Sequence, residues 1–247
     1  MNHVDVRGLL KQTRKELAEM IFEQQNLLLI VGPNLEARYL ARLGGLEIEL
    51  LQQQMENRRQ TRQVELCRVA LNQRKNPSKP DIEKQLDLEL GEWQRQIRDR
   101  NERVQVSRRR LQKLLTPESS AAVRSLYRQL VKRLHPDLHP QQTQRDRDLW
   151  FSVQEAYQMS NWSRMETLLA VTDEEWDESP EELQRMRGRC EELRDDLIKL
   201  RGQFPHNIAN KLNDEEWLKV QGGQLKLRIL LERQRGLKLQ AVAQEYW

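Results

Sequence analysis

The sequence predicts an all-α protein: long helical hairpins of coiled-coil character, with a small helical domain set between them. Three observations predict it. Of 247 residues, 32% are charged, 37% hydrophobic and only 5% aromatic, so packing must be aliphatic with charged flanks, as in long paired helices. The chain holds just 10 Gly and 8 Pro, too few turns for a many-stranded sandwich or barrel. Apolar residues also recur at steps of three and four over long stretches, and no segment has the strict alternation of a half-buried strand.

The bulk numbers bound partners and compartment. The net charge of +4 is the difference between 42 basic and 38 acidic residues, a balance that suits a solvated helical surface and argues against a nucleic-acid partner. Cys67 and Cys190 are far apart without Cys-x-x-Cys spacing, which gives neither a disulfide framework nor a zinc site. The longest purely apolar run, Leu27–Val31, is far short of a membrane span, and the N-terminal residues lack a signal-peptide apolar region. The expectation is a cytoplasmic protein with no membrane partner, metal or cofactor.

In chain order, residues 1–33 are expected to hold an amphipathic helix that breaks at Gly32-Pro33. Leu27–Gly32 has the look of a strand entering a phosphate loop, yet no second glycine and no Gly-Lys-Ser/Thr follow, so that reading fails. Residues 34–115 are expected to be an antiparallel helical hairpin. One seam runs Leu43, Leu46, Leu50, Gln53, Asn57, Gln60, Val64, Cys67, Leu71; the other runs Leu86, Leu90, Trp93, Ile97, Arg100, Val104, Ser107, Leu111, Leu114. Asn76-Pro77-Ser78-Lys79-Pro80 joins them as the strongest turn signal in the chain, and would bring Gln53–Gln60 near Trp93–Arg100. The polar middle of the first seam reads as a register device.

Residues 171–182 carry seven acidic side chains and no basic ones, which marks a solvated linker. Ser179-Pro180-Glu181-Glu182 then has the form of a capping box opening a helix. Residues 183–247 are expected to form a second helical hairpin. Its first arm has the seam Leu183, Met186, Cys190, Leu193, Leu197, Leu200 and ends at Phe204-Pro205. Its second is capped at Asn213-Asp214 and weakened at Gly222-Gly223.

The segment 116–170 differs in texture. Val123, Tyr127, Leu130 and Leu134 form one apolar stripe at helical spacing, while Arg124, Arg128 and Lys132 repeat every four residues and form a basic row on another face. Pro136 cannot continue this helix, so it ends at His135 and Asp137 falls in a loop. Beyond it, Trp150, Val153 and Tyr157 make a second stripe, with Ala156 small enough for close helix contact. Five of the aromatics, Tyr127, Trp150, Phe151, Tyr157 and Trp162, fall within this segment and are expected to supply a small core.

These residues resemble the J domain of DnaJ-type co-chaperones. The family pattern Tyr-Arg-x-Leu-x-x-x-x-His-Pro-Asp is met without a gap at Tyr127, Arg128, Leu130, His135, Pro136 and Asp137. Its third-helix pattern is met at Trp150, Val153, Glu155, Ala156 and Tyr157. No Tyr-x-x-Leu of the family's first helix occurs upstream, so Val104–Leu115 is expected to take that place. Neither a Gly/Phe-rich segment nor Cys-x-x-Cys-x-Gly-x-Gly repeats are present, so the resemblance is to the divergent class, whose flanks supply location or client choice.

The resemblance implies a chaperone-binding site at His135, Pro136, Asp137, Arg124, Arg128 and Lys132. Such a site docks on a DnaK-type chaperone in its ATP state and stimulates ATP hydrolysis there. Asp137 suits a directed ion pair with an arginine of the partner, and the basic row would steer association onto an acidic surface. No nucleophile–base–acid constellation can be assembled, so no catalytic residues and no enzymatic activity of the chain's own are expected. A coiled-coil scaffold with a degenerate J-like domain is the alternative. Exposed seams can pair within a chain or between copies, which leaves room for a homo-oligomer and for a client or scaffold partner.

Overall fold

Heptad spacing carries through to helices along the chain. In the computed structural model, residues 6–112, 114, 117–172 and 180–246 are described, and every regular element among them is helical. In order these are α1 (Val6–Asn26), α2 (Gly32–Tyr39), α3 (Gly45–Asn72), α4 (Lys79–Glu89), α5 (Gly91–Gln112), α6 (Pro117–Leu134), α7 (Gln144–Gln158), α8 (Trp162–Ala170), α9 (Pro180–Gly202) and α10 (Glu215–Gln244). None is long and apolar enough to cross a membrane. The chain divides into two compact units, one of Met1–Leu35 with Lys113–Ile208, the other of Glu36–Gln112 with Ala209–Trp247.

The expected break at Gly32-Pro33 is instead a change of helical register. Leu27–Val31 forms a π turn, in which the Gly32 N–H donates to the Leu27 carbonyl, and α2 starts at once. Proline lacks the N–H and crowds the carbonyl four residues back; a widened turn just before it accommodates both effects. Gly32 itself cannot carry a side chain, since a Cβ there would lie 2.9 Å from the Leu27 carbonyl oxygen and 3.1 Å from His206 Nε2.

In the first unit, α1 and α9 pair along their length, and α6, α7 and α8 pack together beside α1. The stripe Val123, Tyr127, Leu130, Leu134 is buried, as are Trp150, Val153, Ala156 and Tyr157. They share one core with Leu10, Leu17, Ile21 and Phe22 of α1 and with Leu183, Met186, Cys190 and Leu193 of α9. Phe151 and Trp162, expected in this core, are not part of it: they are 66% and 41% exposed. With about 100° between successive helical residues, burying Trp150 turns its neighbour Phe151 away.

In the second unit, α3 pairs with α10 and also meets α4 and α5. The first seam is buried at Leu43, just before α3, and at Leu50, Asn57, Val64 and Cys67 of α3, and fails at its end, where Leu71 is 48% exposed. The second arm of the expected hairpin is divided at Leu90-Gly91 into α4 and α5. Ile97 and Val104 cluster with Ile48, while Cys67 clusters with Ile82 and Leu86. The polar middle of α3 is shared between two neighbours: Met55 packs against the cluster that holds Ile97 of α5, while Asn57 turns to α10. Asn57, 2% exposed, donates from Nδ2 to the Glu232 carbonyl (2.8 Å) and the Glu232 carboxylate (2.6 Å) of α10.

Two further expectations are corrected by this division. Residues 183–247 do not form a hairpin of their own: α9 packs on α1 in the first unit and α10 on α3 in the second. Val104–Gln112 lies in the second unit, so it does not stand in for a first J-type helix; α1 packs on α6 instead. The physical reason is shared. An apolar seam specifies that a helix needs a partner, and several seams of similar spacing compete for each one. The expected cap at Asp214 is present, accepting from the N–H groups of Glu216 (2.9 Å) and Trp217 (3.1 Å), and α10 runs unbroken through Gly222-Gly223. The linker residues 173–179, including the expected cap Ser179, lie outside the described residues.

Candidate functional site: the His-Pro-Asp turn

The helix α6 ends at Leu134, as the proline two residues on requires. The turn then closes on itself: the N–H groups of Leu138 (2.9 Å) and His139 (3.0 Å) both donate to the His135 carbonyl, and Leu138 is buried beneath. The last carbonyls of α6 find side-chain donors. His139 Nε2 donates to the Lys132 carbonyl at 2.6 Å, and the Gln142 amide donates to that of Leu134. Thr143 and Asp146 form a reciprocal capping box that starts α7. The turn is therefore pinned at both ends by polar groups that no apolar pattern marks.

His135 is 8% exposed and sits edge-on to Trp150, with ring centroids 4.9 Å apart. Its Nδ1 accepts the Asp137 N–H at 3.1 Å, so this nitrogen carries no proton and the ring is held in one orientation. Burial lowers the His135 pKa to about 4, against the opposing pull of the Asp137 carboxylate; the Arg189 and His139 charges lower it further. The imidazole is thus a neutral structural acceptor at physiological pH.

Beneath the turn lies an aromatic stack. Tyr127 and Tyr157 lie nearly parallel with centroids 3.7 Å apart, and Trp150 stacks on Tyr127 at 5.9 Å. The Tyr157 hydroxyl donates to Asn26 Oδ1 at 2.8 Å, whereas the Tyr127 hydroxyl is buried with no hydrogen-bond partner among the described residues. Burial drives the Tyr157 phenol up to about 12 and the Tyr127 phenol higher still.

Of the six sequence-predicted site residues, His135, Pro136 and Asp137 form one turn, Pro136 being exposed. Arg124, Arg128 and Lys132 lie along the helix leading into it. Each arginine of the row is engaged within the chain. Arg128 Nε is 3.2 Å from Glu19 of α1 and its guanidinium lies 4.0 Å over the Phe22 ring, while Arg124 Nη1 donates to Ser120 Oγ at 3.0 Å. Lys132 is half-buried.

Asp137 has an internal partner that sequence reasoning missed. Arg189 Nε donates to Asp137 Oδ2 at 2.6 Å, and Arg185 Nη2 donates to the Asp137 carbonyl at 2.7 Å. Both arginines stand one turn apart on α9 and are backed by carboxylates, Glu182 for Arg185 and Glu192 for Arg189. The only trace in the sequence is that spacing of four, which is also what any charged helix face shows.

No protein-family model, no curated protein and no solved structure matches the chain.

Proposed function

We propose that the chain is a J-domain co-chaperone that docks on a DnaK-type chaperone through His135, Pro136 and Asp137 and stimulates its ATPase. The observation that carries this reading is a coincidence of register. The Tyr-Arg-x-Leu-x-x-x-x-His-Pro-Asp pattern and the Trp-x-x-Val-x-Glu-Ala-Tyr pattern occupy two helices that pack on each other, with the tripeptide in the turn between. His135 shapes the turn by accepting the Asp137 N–H, Pro136 stops the helix, and Asp137 offers a carboxylate from a fixed backbone. Arg124, Arg128 and Lys132 would steer the approach toward an acidic surface. The chain performs no chemistry in this scheme. Its effect is a coupling free energy between docking and the partner's ATPase conformation, typically about 1–3 kcal/mol. The flanking helices would serve client or partner binding.

The test is single-turnover ATP hydrolysis by a DnaK-type chaperone with and without the full chain. Stimulation lost in His135→Gln and in Asp137→Asn supports the reading. Absence of stimulation, or stimulation indifferent to both changes, refutes it.

A second reading, a helical scaffold with a degenerate J-like domain, is favoured by one observation: the Asp137 carboxylate already has an arginine partner within the chain. Recovery of structural partners without any chaperone in a pull-down would support it.

A further inference from the structure

We propose that Arg189 is an internal lock on the docking turn, occupying on Asp137 the place that a chaperone arginine would take. The inference rests on the co-chaperone reading and adds to it a level of control within the same unit. Asp137 Oδ2 accepts Arg189 Nε at 2.6 Å, the Arg189 side chain is 30% exposed and that of Asp137 25%, so the pair is reached from solvent only in part. Arg185, one turn earlier on α9, holds the Asp137 backbone carbonyl at 2.7 Å and fixes the turn against the helix.

Charge balance makes the arrangement a pair with reserves on both sides. Arg189 also holds Glu192 at 2.8 Å, so its guanidinium keeps one carboxylate when Asp137 leaves. Asp137 in turn can exchange Arg189 for another guanidinium without ever being left as a bare carboxylate. The exchange is therefore a swap of like partners, which costs far less than breaking a buried pair outright.

The lock acts at the level of side chains. The helix carrying Arg189 cannot swing away, because Met186, Cys190 and Leu193 on either side of it are 0–2% exposed in the unit's core. Arg128, from the basic row, is likewise drawn to Glu19 and Phe22 of α1. Asp137 and Arg128, both assigned to docking, thus begin in ion pairs within the unit. When only a fraction of molecules offers an open Asp137, the apparent dissociation constant rises by the inverse of that fraction.

The experiment titrates a DnaK-type chaperone with the full chain in single-turnover ATPase, comparing the natural protein with Arg189→Gln, Arg189→Lys and Arg189→Gln/Asp137→Asn. Arg189→Gln is expected to lower the concentration for half-maximal stimulation by about three- to tenfold, the range an ion pair of this exposure holds back. Arg189→Lys, which keeps the charge and loses the fork, should fall between the two. The double variant should not stimulate. An unchanged or raised half-maximal concentration in Arg189→Gln overturns the lock; a raised one assigns Arg189 to positioning the turn. If Arg189→Gln loses its helical circular dichroism, Arg189→Lys is decisive alone: a lowered concentration supports the lock and an unchanged one overturns it. These outcomes are separate from failure of the co-chaperone reading, in which neither the natural protein nor either single variant stimulates at all.

Discussion

Acidification from pH 7 to pH 5 is expected to destabilise the protein through the imidazole of His135, and His135→Gln is expected to remove that share. The imidazole is neutral in the fold because it is buried against Trp150 and its Nδ1 already accepts the Asp137 N–H. Its pKa is lowered from 6.5 to about 4. Above about pH 6.5 the residue is neutral folded or unfolded and contributes nothing to the pH dependence. Below that value the unfolded chain binds a proton that the folded one does not, so stability falls as pH falls, until the folded form also protonates near pH 4. Linkage between those two values gives about 2 kcal/mol of lost stability at pH 5. With a urea dependence of about 2 kcal/mol per molar, the unfolding midpoint should drop by about 1 M from this residue. The assay is urea unfolding of the natural protein and of His135→Gln at pH 7, 6 and 5. The relevant quantity is the difference in pH dependence, which cancels the other titrating groups and the lost ring contact. Equal pH dependence in the two proteins would show that His135 is not buried neutral and would refute the reasoning.

Three further outcomes are expected. Tyr127→Phe should be neutral or stabilising by about 1 kcal/mol, since it deletes a buried hydroxyl that has no partner among the described residues, whereas Tyr157→Phe should cost about 1 kcal/mol by removing the donor to Asn26; thermal unfolding of both, side by side, checks the contrast. Gly236→Ala should destabilise despite a helix-propensity gain of about 1 kcal/mol, because the new Cβ would lie 2.6 Å from Asn57 Oδ1 across the α3–α10 contact. Unchanged or increased stability would mean that Asn57 yields. Thr143→Ala removes one half of the α7 capping box and should cost about 1 kcal/mol, read as a drop of about 0.5 M in the urea unfolding midpoint.

Much of the local architecture was legible in sequence. The stripe Val123, Tyr127, Leu130, Leu134 predicts a buried helix face, and those residues are buried. Pro136 predicts where α6 stops, because a missing N–H and a fixed ring act within one turn of chain. Asp214 reads as a cap for the same reason: its partners are two and three residues away. The Thr143–Asp146 box is equally local, a Thr-x-x-Asp form whose partners are three residues apart, with Asp in the place that Glu or Gln commonly takes.

Interactions that span the chain were not legible. The seam of α9, from Leu183 to Leu197, announces a helix that needs covering, yet it would suit α10 or α1 equally by its spacing, and only packing selects α1. Asn57 reads as a polar seam position, but its bond to Glu232, 175 residues away, depends on the register between two helices. The expectation of Phe151 in the core failed because composition counts aromatics without assigning them to a face.

What the sequence determined by itself is that the chain is helical, where its helices carry apolar stripes, and that a His-Pro-Asp turn ends the basic helix. Each of these follows from spacing or from chemistry within a few residues. Tertiary structure alone decided that Arg189, 52 residues from Asp137, closes on its carboxylate. That contact is set by the rotation of α9 in the core, which Met186, Cys190 and Leu193 fix together with α1, and no local pattern encodes the angle at which one helix presents its side chains to another.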